Sequence, residues 1–214
     1  MVFKSVKEVI ESTDLNAVFS FVSRGLWYTP LTEDEYDGVK SKPEALGVAS
    51  FSKTIQVPPE IYRKKDQLEQ YKSNLYFYLA KQLLDEIFKA KTTPESGIVS
   101  IPTVAGTNDV EADPLKAYDL IKRASYVNGG IYFNAAQAAT VDFSTVAGGK
   151  IFPRWFNADG SEVLAFGMVD GSFNLWLDES EEEQFILKDN KHYITATVFA
   201  QGLPTLAPSL VKKA

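Results

Sequence analysis

The stretch that decides the fold is residues 54–91, TIQVPPEIYRKKDQLEQYKSNLYFYLAKQLLDEIFKAK. It contains no Gly or Pro after Pro58-Pro59, and prolines are well placed at a helix start. Apolar residues recur at steps of three and four, in the row Leu68, Tyr71, Leu75, Leu79, Leu83 and Ile87 and in a second row of Tyr76, Leu84 and Phe88. This spacing predicts one helix from Glu60 to about Lys91, roughly 40 Å long. We expect Leu75, Leu79 and Leu83 to be buried against the C-terminal strands.

The charged first half of this helix predicts a different environment. Lys64, Lys65 and Glu69 lie where the apolar stripe is narrow. We expect these three side chains to face solvent or a neighbouring subunit, and they are candidate interface residues.

The chain before the helix changes character at residue 23. Residues 3–22 are predicted to be helical, because Val6, Val9 and Ile10 lie at helical spacing, and to form an arm that packs on something else. Residues 23–57 are broken by Gly and Pro, and Val48–Val57 at their end reads as extended. A structureless loop of this length is unusual inside a compact domain. We therefore predict an extended hairpin that reaches another chain, with the interface candidates Trp27, Tyr28, Tyr36 and Phe51.

The chain after the helix predicts a mixed region and then strands. Asp113-Pro114 opens a helix, Asn128-Gly129-Gly130 predicts a turn before a strand at 131–133, and Asn134 caps a small helix. The predicted strands of the last third are Val163–Val169, Phe173–Leu177, Phe185–Leu187 and Tyr193–Ala200, with turns at Asp170-Gly171 and Asp189-Asn190. This order of elements favours an α+β fold.

Composition excludes several classes of function. The 214 residues are 45% apolar and 23% charged, which is typical of one globular domain. A total of 22 Lys and Arg against 28 Asp and Glu gives a net charge of −6, which disfavours a dedicated duplex-DNA binder. The sequence has no Cys and one His, which excludes disulfides, thiolate catalysis and Cys-ligated or His-rich metal sites. No apolar run approaches the ~20 residues of a membrane span.

Four motifs were weighed for chemistry, and none predicts an active site. Glu33, Glu35, Asp37, Gly38 and Glu44 match positions of a calcium loop, but the flanking helices are missing, and a solvated acidic loop is favoured. Gly148-Gly149-Lys150 lacks the spacing of a phosphate-binding loop. The carboxylate run at 178–183 reads as a solvated loop between strands that could also meet a basic patch on a neighbour. His192, at the start of a strand, is interpreted as a surface or strand-edge residue. The sequence therefore predicts a chain that is not an enzyme and needs no cofactor.

Two regions together resemble the HK97-fold major capsid proteins of tailed phages. The first is residues 54–91, where a strand closing an extended loop runs into a long spine helix. The second contains VLAFGMVDGSFNLWL at 163–177 and EEQFILKDNKHYITATVFAQGLPTLAPSLVKK at 182–213, which are similar to the closing strands of that family. The segment GIYFNA at 130–135 resembles the family's strand ahead of a short helix.

The resemblance implies a map and a function. It implies an N-terminal arm at 1–22, an extended loop at 23–57, a peripheral domain at 58–97 and 171–214, and an axial domain at 98–170. It further implies a subunit that assembles with copies of itself, in hexamers and pentamers, into an icosahedral head enclosing DNA without sequence-specific contacts. Scaffold, portal and decoration proteins would be further partners. The chain would be made in the host cytoplasm and reside in the virion.

Alternatives remain open at this point. Another shell protein of the same fold, such as an encapsulin-like one, fits the same residues. A tail-tube, neck or minor head protein is the next candidate, followed by a small enzyme or ligand-binding domain.

Overall fold

A computed structural model describes residues 1–24, 47–88, 97–98, 103–105, 129–133, 149–151, 163–169, 171, 173–204 and 209–212. The helices are α1 (Val6–Glu11), α2 (Pro59–Tyr62) and α3 (Lys65–Ile87), with a short 3₁₀ helix at Asp14–Val18. The strands are β1 (Phe19–Phe21), β2 (Ala49–Val57), β3 (Thr103–Ala105), β4 (Gly129–Phe133), β5 (Gly149–Ile151), β6 (Val163–Val169), β7 (Phe173–Ile186), β8 (Lys191–Pro204) and β9 (Ser209–Lys212). The predicted α+β class is confirmed.

The larger unit is a four-stranded sheet in the order β1-β7-β8-β2. β7 and β8 form a long antiparallel ribbon in which Phe173 pairs with Pro204 and Ile186 with Lys191. β2 runs antiparallel to β8 along most of the ribbon, whereas β1 pairs in parallel with residues 173–175 of β7 alone. Within the described chain, β7 beyond residue 175 is therefore an outer edge on one side, and β2 is the edge on the other.

Helix α3 covers one face of this sheet and forms the core with it. Leu75, Leu79 and Leu83 are 2%, 0% and 0% exposed, as the spacing predicts, and α3 packs against β8 and β2. On β8 the residues Ile194, Ala196 and Val198 face the helix and are buried. Alternation along the strand and a period of 3.6 along the helix thus place two apolar stripes in contact.

The long helix differs from its prediction at both ends. It is divided into α2 and α3 because Lys64 has an extended backbone, with φ −115° and ψ 98°, that interrupts the helical hydrogen bonds. The short α2 places Tyr62 against His192 of β8, with ring centroids 3.8 Å apart. At the other end the helix stops at Ile87, before the predicted end near Lys91, and Phe88 is its C-cap.

The prediction that residues 3–22 are helical throughout is wrong, because the segment ends in strand β1. Ser5 caps α1, its side chain accepting a hydrogen bond from the Glu8 N–H. Val6, Val9 and Ile10 are each 0% exposed and belong to the same core as α3. The apolar residues at helical spacing thus lie on one short helix, which packs on the core of the same chain.

The second sheet has five strands in the order β3-β9-β6-β4-β5. The predicted strand at 163–169 is confirmed as β6, and the strand at 131–133 as part of β4. Gly129 and Gly130, expected in a turn, instead begin β4 and pair with Val169 and Met168. The helices predicted after Asp113 and Asn134 lie outside the described residues.

The ribbon corrects the reading of the acidic run. Residues 178–183 do not form a loop between two strands, because they continue β7 through to Ile186. The cause is pairing with β8: backbone hydrogen bonds to a long apolar-polar strand outweigh the weak strand preference of Glu. The turn predicted at Asp189-Asn190 is confirmed, with Asn190 at φ 52°.

Candidate functional site

The first feature of interest is the end of the four-stranded sheet at which residues 22, 47 and 97 come together. The Val22 N–H donates to the Leu175 carbonyl, and Leu175 pairs with Gly202 on β8. At the same level the Gln201 side chain donates to the Gly47 carbonyl at 2.9 Å, and the Gly202 N–H donates to the Gly97 carbonyl at 2.9 Å. The described chain thus leaves at residue 24 and re-enters at residue 47 on one end of the sheet.

Gly97 makes this junction possible. Its φ is +84°, a conformation that L side chains rarely adopt, and a Cβ at this position would collide with the Gly47 carbonyl oxygen. Gly97 therefore lets the two backbones approach where its own Cβ would not fit, whereas a Cβ on Gly47 would be 4.0 Å from the nearest atom.

The second feature is a network of charges between helix α3 and the acidic part of β7. Lys72 donates to Glu181 and, at 2.9 Å, to Glu183. Tyr76 donates its hydroxyl to the second oxygen of Glu181 at 2.7 Å. The carboxylates at 181 and 183 share the face of the ribbon that meets α3, because strand residues two apart point the same way.

The network shifts the protonation of its members. Burial by itself lowers the pKa of Lys72, but the hydrogen bonds to Glu181 and Glu183 outweigh it and leave that pKa raised. The Lys72 hydrogen bond lowers the pKa of Glu183. Burial, with the Glu181 hydrogen bond, raises the pKa of the Tyr76 phenol. The arrangement thus favours an ionised Glu183, a charged lysine and a neutral tyrosine.

Glu179 extends the same row toward the N-terminus. Its carboxylate accepts hydrogen bonds from the backbone N–H groups of Val6 at 2.7 Å and Lys7 at 3.2 Å. Burial raises the pKa of Glu179, and these two hydrogen bonds only partly oppose it. The acidic strand therefore holds both α1 and α3 to the ribbon.

A groove of about 450 Å³ lies on the other side of the molecule, between edge strand β2 and helix α3. It is lined by Lys53, Ile55, Gln56, Tyr71, Asn74, Leu75 and Tyr78. The Lys53 ammonium stands 4.6 Å from the centre of the Tyr78 ring. The sheet face turned away from α3 is polar, with Ser52 and Thr197 hydroxyls 3.0 Å apart and Thr54 and Thr195 hydroxyls 2.8 Å apart.

Known proteins resemble this chain in structure and not in sequence. No family model matches the sequence, and no curated protein is similar to it. A structure titled Mycobacterium phage Bobi matches at a TM-score of 0.63 with 12% identity, over 100% of this chain and 92% of that chain. The capsid of an empty GTA particle matches at 0.58 with 13% identity, over 100% and 92%. A virus-like particle from Pyrococcus furiosus matches at 0.54 with 13% identity, over 77% and 75%.

The chain has the fold of phage capsid subunits. The resemblance seen in residues 54–91 and in the C-terminal strands is thereby confirmed at the level of the fold. The long helix of this chain is α3, and β2 precedes it through the short helix α2.

The residues predicted to form interfaces occupy separate places in the capsid fold. Phe51 lies in β2 opposite Val198 and is half-buried against the core. Lys64 and Lys65 are exposed where α2 meets α3, whereas Glu69, expected to be exposed, is half-buried. Trp27, Tyr28 and Tyr36 lie outside the described residues, as does the acidic segment 33–44.

Sequence reasoning missed the charge network that joins α3 to β7. A signal was available: Glu179, Glu181 and Glu183 alternate with other residues, and a period of two is typical of one face of a strand. The position of His192 at the start of a strand is confirmed, but the side chain is buried rather than on the surface.

Within the described ranges, no group of three or more His, Cys, Asp or Glu side chains is arranged to hold a metal ion. Among the helices that the structure describes, none combines the length and the apolar character needed to cross a bilayer.

Proposed function

We propose that this chain is a self-assembling subunit of an icosahedral phage head, the major capsid protein or another shell protein of the same fold. The observation that carries the proposal is the match over the whole chain to a structure titled as a capsid. A fold shared over the full length accounts for a long helix, an edge strand that precedes it and a segment that leaves and returns at one end of the sheet. A structural role without catalysis fits these features.

The proposed map of the subunit is the one that the family resemblance implies. We assign residues 23–57 to an extended loop, residues 58–97 and 171–214 to a peripheral domain and residues 98–170 to an axial domain. Residues 1–22 are the N-terminal arm, which in this chain packs its apolar side chains on the peripheral core. The exit at residue 24 and the return at residue 47, both at one end of the sheet, support a loop that projects from that end.

The negative net charge of the chain supports a role as a shell that encloses nucleic acid. With a net charge of −6, the chain repels DNA over long range, so packaged DNA would not adhere to the shell through sequence-specific contacts. Hexamers and pentamers of the chain, in a virion assembled after synthesis in the host cytoplasm, are the proposed setting. Scaffold, portal and decoration proteins are proposed partners.

Electron microscopy and sizing of the purified full-length protein test the proposal. Closed particles of uniform diameter, with a mass of many subunits, are the expected result. Tubes or rings would point to a tail or neck component instead. A monomer at every concentration tested, with or without co-expressed phage proteins, would contradict the proposal.

A further inference from the structure

His192 is the only histidine of the chain, and its side chain is buried in the ribbon. Its side chain is 6% exposed, and its ring stacks on Tyr62 of α2 at 3.8 Å between centroids and 33° between planes. Within the part of the chain that the structure describes, neither ring nitrogen has a hydrogen-bond partner. A buried donor or acceptor without a partner costs free energy of folding, and protonation of the ring would change which hydrogen bonds its nitrogens can make.

The charges around His192 do not balance while the ring is neutral. Oε2 of Glu183 lies 3.5 Å from Nε2 of His192. The other carboxylate oxygen of Glu183 accepts a hydrogen bond from Lys72. Lys72 serves Glu181 as well, so one positive charge faces two negative charges. A proton on His192 would bring this group to neutrality and would make a hydrogen bond from Nε2 to Glu183 charge-assisted, which is the stronger kind.

We propose that His192 and Glu183 form a proton-operated latch that fixes the outer half of the β7–β8 ribbon to helix α2. In the open state the imidazole is neutral and held by stacking on Tyr62. In the closed state it is charged, bonded to Glu183 and still stacked, so that β7, β8 and α2 are joined through one ring. This inference goes beyond the shell function and does not depend on it.

Every element packed on His192 fits the latch. β7 contributes Glu183 and the Phe185 ring, whose centroid is 6.2 Å away. α2 contributes Tyr62, and α3 contributes Lys72 through the shared carboxylate. β2 presents Val57 opposite His192, which is apolar. Among the described residues of these elements, Glu183 is thus the charged group at the ring, Lys72 shares the carboxylate of Glu183, and Tyr62 is the other titratable group.

The direction of the pH dependence follows from the charges. An imidazole ordinarily changes charge between pH 5 and 8. The Lys72 hydrogen bond lowers the pKa of Glu183, so the carboxylate remains ionised across that window. The latch is therefore closed on the acid side and opens as the pH rises and the imidazole loses its proton.

Hydrogen exchange of the ribbon amides between residues 182 and 192 in the full-length protein tests the latch. Rates at pH 8 and pH 6, corrected for intrinsic exchange, should give roughly tenfold greater protection at pH 6, which corresponds to about 1.4 kcal/mol. His192→Gln and Glu183→Gln should each abolish the pH response. Glu182→Gln is the matched control, because Glu182 is exposed on the same strand and faces the opposite side of the sheet.

A wild-type pH response in His192→Gln, or an equal loss of response in Glu182→Gln and Glu183→Gln, would overturn the latch. If a variant does not fold, nuclear magnetic resonance of the wild type gives a second answer. The single imidazole should titrate together with the ring signals of Tyr62. Tyr62 signals that stay constant while the imidazole titrates would equally overturn it.

Discussion

Gly97 shows how one residue permits two backbone segments, at residues 47 and 97, to lie in contact. Its positive φ and its contact with Gly47 leave no room for a Cβ. We expect Gly97→Ala to lower the free energy of unfolding by about 1–3 kcal/mol, because the backbone would be strained and displaced. Gly47→Ala is the control, since the nearest atom to its added Cβ would be 4.0 Å away. Denaturant unfolding compares the two, and equal losses would contradict this reading of the junction.

Lys72 is the residue on which the charge network depends. Replacing it with Met leaves Glu181 and Glu183 without their cation. We expect the free energy of unfolding at pH 7 to fall by up to about 1.5–3 kcal/mol, and by less where solvent screens the partly exposed Glu183. Glu183 has a lowered pKa in the folded state, so its stabilisation is present above the pKa of the unfolded carboxyl and is lost as the pH falls through the folded value. The difference between wild type and Lys72→Met should therefore shrink between pH 5 and pH 3. Thermal unfolding across this range measures it, and a constant difference would refute the ion pairing.

At the scale of the element, helix α3 gives the sharpest contrast between its two halves. Leu79 is fully buried, and truncation to Ala should cost about 2–5 kcal/mol. Lys65 is exposed at the first turn, and Lys65→Ala should change stability by less than about 0.5 kcal/mol. Melting temperature and soluble yield of the two variants check this, and equal effects on the monomer would mean that the buried face of α3 is wrongly assigned.

The same helix shows what sequence can and cannot predict. Its apolar period depends on local spacing, so the buried leucines followed from the sequence alone. The break at Lys64 was not predictable from local spacing; it lies next to Tyr62, which contacts a histidine 130 residues further along the chain. The acidic strand was missed for a similar reason, since strand pairing and a lysine from another element offset the poor preference of Glu for strands. The predicted interface residues stay a prediction, because their contacts would involve other copies of the chain. The capsid fold was predicted through family resemblance and not from spacing or composition.

At the scale of the whole molecule, the segment between residues 24 and 47 should be dispensable for folding and needed for assembly. β1 and β2 are three strand spacings apart, roughly 14 Å, which the residues left after deletion of 29–44 can span. We expect this deletion to retain the melting profile of the monomer and to form no closed shells. Keeping Gly47 preserves its contacts with Gln201 and Gly97. Normal particles from the deletion variant, seen by electron microscopy, would refute the assembly role of the loop.

The acidic outer edge of β7 has a consequence for the proposed assembly of many copies of this chain. Beyond Leu175 this strand has no partner on its outer side within the described chain, and an unpaired edge is a template for uncontrolled growth of sheets from one molecule to the next. The five carboxylates between residues 178 and 183 outnumber the one lysine paired with them, and Asp178 and Glu182 are exposed, so two such edges brought together would repel each other. In the proposed shell, copies crowded during assembly would thereby be kept from joining into fibres, and the contacts that close a particle would face less competition.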